Sequence, residues 1–148
     1  MANSVSVSVD FDDLFERLDK ISDDAGKFTR EAAQAGAQVL YGEAKTRAPV
    51  SDHAHYFYGT HQKYLFEAGT LRNSIYQAFS ADNSIDGKKA TYHISWNYKK
   101  CPYGFMVEYG TKNAPAHPFL RPSYDAASQL AVTVAHDRFA ALMEDSLK

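Results

Sequence analysis

Residues 91–98, TYHISWNY, decide the fold class. Tyr92, Ile94, Trp96 and Tyr98 alternate with Thr91, His93, Ser95 and Asn97. Successive side chains of a strand point to opposite faces, so this period of two predicts a half-buried β-strand. Cys101-Pro102 ends it, because proline has no amide hydrogen to give to a ladder. Just upstream, ADNSIDGKK (81–89) reads as a turn, with Asp86-Gly87 as its hairpin signal. Leu71, Ile75 and Phe79 predict the partner strand from Thr70 onward, although Asn73 and Gln77 interrupt one face.

Both ends of the chain read differently. Val5, Val7 and Val9 alternate with serines, which predicts a short first strand. Asp10 then stands where a helix cap would, and Asp12 and Asp13 suit the positive end of the helix dipole. Leu14, Leu18 and Ile21, with Phe11 and Phe15 beside them, predict a short helix over about 11–22. Asp24-Ala25-Gly26 marks a break, and a longer helix is expected over about 26–47, with Phe28, Ala32, Ala35 and Val39 on one stripe. Its middle is very small (Ala32, Ala33, Ala35, Gly36, Ala37), so another element can approach closely, either the protein's own sheet or a helix of another subunit. It must stop before Pro49, because a residue preceding proline is pushed out of the α region.

Residues 50–69, VSDHAHYFYGTHQKYLFEAG, hold no steady period and read as a long loop. Its aromatic content points to ordering against a partner. Phe105, Val107 and Tyr109 suit a short strand or a helical turn, followed by a loop from Gly110-Thr111 through Pro115 and Pro118. Pro122 fits the first turn of a last helix over about 122–145. Ala127, Leu130, Ala131, Val134, Ala135, Phe139 and Leu142 mark one face of it. Together these elements predict an α+β domain spanning 1–148. About four strands form a mostly antiparallel sheet, with the long Ala-rich helix and the C-terminal helix packed on it.

Composition narrows the function classes. The chain has 148 residues, 45% hydrophobic and 23% charged, which suits a globular domain with a true core. One cysteine, Cys101, allows no internal disulfide, so a reducing site of synthesis is the simpler reading. The first residues lack the basic and apolar regions of a signal peptide, and no apolar run is long enough to cross a bilayer. A net charge of −2 argues against a general nucleic-acid binder. The charge is uneven: residues 1–31 are acidic, whereas 88–121 carry Lys88, Lys89, Lys99, Lys100, Lys112 and Arg121 against Glu108 alone. Solvated faces explain this, and so does complementarity between neighbouring subunits.

Four stretches, in order, resemble a family of minor tail components of lambda-like long-tailed phages and prophages, proteins of tail completion and head–tail joining. They are VSVSVDFDDLFERLDKI (5–21), AAQAGAQVLYGEAKTRAPV (32–50), GTLRNSI (69–75), and FMVEYGT (105–111) followed by HPFLRPSYDAA (117–127). The insertion at about 51–69 departs from the pattern. The resemblance implies a structural virion protein at the neck or tail end, assembled in the bacterial host cytoplasm, and not an enzyme. It implies rings of copies, commonly six-fold, that meet the tail-tube protein and neighbouring connector proteins. DNA would pass through without being gripped. It implies no cofactor and no membrane.

The residues expected to matter are Leu71, Arg72, Ser74, Glu108, Gly110, Thr111, Pro118, Phe119, Arg121 and Pro122. Gly69 or Gly110 permits a turn closed to residues with a Cβ. Arg72 or Arg121 is expected to pair with Glu108, folding the Gly-Thr turn back on the sheet. His53, His55, Tyr56, Tyr58 and His61 form the candidate partner loop. Two other classes remain: a small metal-dependent or thiol enzyme built on Asp52, the loop histidines, or Cys101 with His93, and a nucleic-acid module built on the lysines around Tyr92, Trp96 and Tyr98.

Overall fold

The computed structural model describes residues 11–148, so the strand expected at Val5–Val9 and the cap expected at Asp10 lie outside the described residues. The fold is α+β. Its longest element, α1 (Asp12–Arg47), is one unbroken helix where the sequence suggests two with a break at residues 24–26. A glycine inside a helix costs only about 1 kcal/mol, which packing on both sides outweighs. Gly26 has Gly87 of the 81–89 turn against it, where a Cβ would lie 3.0 Å from the Gly87 Cα. Its bareness therefore serves a close approach. α1 stops as expected: Ala48 turns extended before Pro49.

The loop expected at 50–69 contains an antiparallel hairpin, β1 (His55–Tyr58) with β2 (Lys63–Phe66), in the register His55 to Phe66 and Tyr58 to Lys63. β1 is aromatic on both faces and β2 carries Leu65 on the face opposite Tyr64 and Phe66, so the sequence shows no steady polar alternation to betray them. The strand expected from Thr70 begins instead as a helical turn, α2 (Thr70–Ser74), and becomes β3 (Ile75–Phe79). Leu71, Ser74 and Ile75 are buried at helical spacing, and the four-residue interval of Leu71, Ile75 and Phe79 fits both periods. β3 pairs antiparallel with β4 (Tyr92–Trp96), Ile75 opposite Trp96 and Phe79 opposite Tyr92. Among the described residues the four strands thus form two separate two-stranded sheets. A short helix α3 (Gly104–Tyr109) follows, and α4 (Leu120–Ser146) ends the chain.

α4 runs antiparallel along α1, with Gly36 beside Ala131 and Ala135, Glu31 paired with Arg138, and Asp24 accepting from Ser146. The small residues of α1 therefore meet the protein's own last helix, and Ala33 and Ala37 also lie beside Tyr92 and Ile94 of its sheet. A Cβ on Gly36 would stand 2.7 Å from the Ala131 carbonyl oxygen, so the two backbones touch there. Of the face expected on α4, Ala127 and Ala131 are buried, but Leu130 is exposed. The main core sits at the far end of the pair: Ala44, Ala48, Leu71, Ile75, Cys101 and Phe119, with Trp96, Tyr103 and Val107 packed around it.

Two glycines of α1 should respond oppositely. Gly36→Val should destabilise by about 1–3 kcal/mol through overpacking. Gly42 has open space around it. Gly42→Ala should stabilise by up to about 1 kcal/mol. Thermal melts of the two variants check both signs.

Candidate functional site

Most of the singled-out residues meet where α3 hands over to α4. The carboxylate of Glu108, 6% exposed, accepts from the backbone N–H of Phe119 at 2.7 Å, of Leu120 at 3.1 Å and of Arg121 at 3.2 Å. These are the first N–H groups of α4, which no earlier turn can satisfy. The helix dipole adds a partial positive charge at the same place. Glu108 does fold the Gly-Thr turn back, but its partners are amides, where the sequence suggested a guanidinium. The bond count of an isolated motif cannot distinguish the two, because both offer N–H donors.

The turn between them is equally determined. Gly110 takes φ +76°, and a Cβ there would lie 2.7 Å from the Ala116 nitrogen, so only glycine fits. Thr111 closes the next bend through its backbone N–H to Ala114 at 2.8 Å, and its hydroxyl accepts from Asn113 and Ala114. His117 donates to Val107 at 2.8 Å. Phe119 is fully buried, edge-on to Trp96 at 5.9 Å, and its side chain contributes about 1.5–3 kcal/mol. Ser123 donates its hydroxyl back to the Phe119 carbonyl. Pro122 stands in the first turn of α4, while Pro118 is exposed.

The neighbouring motif divides. Leu71 is in the core, and Ser74 donates to the Leu71 carbonyl at 2.7 Å while its own carbonyl accepts from Asn97 at 2.8 Å. Arg72 is exposed and lies by Lys45 and Thr46, away from Glu108. The Arg121 guanidinium lies 5.9 Å from the Tyr109 ring. Gly104 is a residue the sequence reading missed. The Trp96 indole covers it so closely that a Cβ would clash. An aromatic strand ending a few residues before a glycine was the available signal.

The aromatic hairpin is attached through a second missed residue, Tyr103. Its ring lies 4.9 Å from that of Phe66 and 5.1 Å from that of His55. His55, Phe57 and Phe66 thus face inward. Tyr56, Tyr58 and Leu65 face outward and are exposed, with the Lys63 ammonium 3.7 Å from the Tyr56 ring. His53 and His61 are exposed, and among the described residues no group of three or more His, Cys, Asp or Glu is placed to hold a metal ion. Cys101 is fully buried, and that burial pushes its thiol above its ordinary range, partly offset by Tyr103 and Ser74. His93 lies on the exposed face of β4, near Asn83. Trp96 and Tyr92 are half-buried, packed on Phe119 and Phe79, and Tyr98 alone of the three aromatics is exposed, beside Lys99 and Lys100.

Two measurements follow from this geometry. Glu108→Gln should lower stability by about 2–3 kcal/mol, since bonds to a charged acceptor are the strong ones, and melt roughly 4–12 °C earlier. Cys101 should resist a thiol reagent in the native protein and react once denaturant unfolds it, because a buried protonated thiol is a poor nucleophile.

No curated protein and no solved structure matches the chain. One family model does, described as "Bacteriophage HK97-gp10, putative tail-component", over residues 12–110. The match runs from the first turn of α1 to Gly110, through both hairpins and Glu108, and leaves α4 outside. It covers two-thirds of the chain, which therefore belongs to the HK97 gp10-like family of phage tail components.

Proposed function

We propose that this protein is a structural subunit of the virion that completes the tail or joins it to the head, as a ring of copies at the capsid–tail junction. Family membership carries the reading. A tail component must bind other virion proteins, and the outward tyrosines of the hairpin suit such contacts, since tyrosine buries large area at low entropic cost. Tyr56, Tyr58 and Leu65 form that face, with His53 and His61 exposed near it. The tail-tube protein and neighbouring connector proteins are its partners, and its action is structural, without catalysis or cofactor. DNA passes through the ring without being held, a reading that the net charge of −2 favours.

The test is the mass in solution, by light scattering on a sizing column, first alone and then with the tail-tube protein. A hexamer-sized particle, free or on tubes, is the expected result. A protein that stays monomeric with tubes present overturns placement at the tail end.

A further inference from the structure

Phe11, which caps α1, and the first turns of the helix stand out from the rest of it. α4 reaches only as far as the contact of Ser146 with Asp24, so residues 11–20 extend past it, and every one of them is exposed. Yet Phe11, Leu14, Phe15 and Leu18 are spaced i, i+3, i+4, i+7, the stripe with which a helix faces a core. They are between 49% and 61% exposed. Over residues 12–23 five carboxylates, Asp12, Asp13, Glu16, Asp19 and Asp23, stand against Arg17 and Lys20, and Asp13 pairs with Arg17 at 3.0 Å. The projecting end is an apolar strip on a segment of net negative charge.

A second uncovered surface lies at the opposite end of the molecule. The outer side of α3 carries Phe105, Met106 and Tyr109, 42–57% exposed, with the Phe105 and Tyr109 rings 4.7 Å apart and Arg121 over Tyr109. Exposed Lys99 and Lys100 lie in the turn before α3, and exposed Lys112 just after it. The one carboxylate in residues 88–121, Glu108, is buried beneath and committed to the start of α4. This surface is apolar with a basic border.

We infer that the projecting end of α1 in one copy docks on the α3 surface of a second copy, through Phe11, Leu14, Phe15 and Leu18 against Phe105, Met106 and Tyr109. Charge and reach select that occupant. Val107 of α3 packs on the core at Ala44 and Ala48, and about 39 Å of straight helix separates Leu18 from Ala44, so the two surfaces of one chain cannot meet. Arm against arm would face acid with acid, and α3 against α3 base with base. Arm against α3 brings opposite charges together, with three lysines around the α3 surface. Such a contact is head-to-tail, and it generates a ring when the rotation closes. The inference rests on the reading that copies associate, and it names the surfaces that do so.

Charge reversal tests it with the full chain. One variant carries Glu16→Lys, Asp19→Lys and Asp23→Lys, the other Lys99→Glu, Lys100→Glu and Lys112→Glu, all at surface positions. Each alone should lose self-association roughly tenfold or more in light scattering, and an equal mixture should recover it, because each arm then meets an opposite surface. Phe15→Gln with Leu18→Gln should weaken association likewise, and salt should weaken that of the wild type. Reversed variants that associate like the wild type, or a mixture that does not recover, overturn the docking and leave the ring reading in place. A wild type that never associates, alone or with tubes, overturns the docking together with placement at the tail end.

Discussion

A buried carboxylate and the start of a helix each cost free energy when left alone, and in this protein each is the other's remedy. An ionised side chain out of water needs hydrogen bonds on both oxygens. The first N–H groups of a helix need acceptors that the helix cannot supply. Glu108 lies within reach of Phe119, Leu120 and Arg121 only because Gly110 and Thr111 reverse the chain between them. That one contact aims α4. It sets Phe119 into the core and sends the helix back along α1, where bare backbone at Gly36 receives Ala131. The handover between the two helices is thus the joint from which the long axis of the molecule is set.

A helix pair of this kind is a spacer as well as a core. α1 is about 54 Å long and α4 about 40 Å. They are aligned at the end where Glu108 works, so the difference in length falls wholly at the other. The apolar stripe of residues 11–18 is therefore carried clear of the packed body, while α3 remains fixed beside it. A subunit with unlike surfaces at its two ends suits repetition, since neither surface can satisfy itself within one chain.

The hairpin of residues 55–66 has a different status. Two strands in isolation are marginally stable in water. This pair is held by aromatic contacts to Tyr103, and its inner side is filled by His55, Phe57 and Phe66. The same turn buries Cys101, so the thiol that invited a catalytic reading is part of the floor on which the hairpin stands. What is left for solvent is a row of tyrosines beside Lys63.

Periodicity and punctuation belong to the sequence alone. The alternation of TYHISWNY, the Asp86-Gly87 turn, the stop at Ala48-Pro49 and the α+β class were all legible, because each rests on local backbone geometry. Gly110 was legible as a required turn, since only glycine suits its positive φ. Tertiary structure decided the rest. It chose the amides of α4 over Arg72 and Arg121 as partners of Glu108, because local spacing says nothing of which donors a fold brings near. It kept α1 whole through Gly26, because packing outweighs a single weak residue. It revealed a hairpin in residues 55–66, because two four-residue strands with large side chains on both faces carry no steady alternation. It left Phe11, Leu14, Phe15 and Leu18 uncovered, because the reach of α4 is set by where α4 begins.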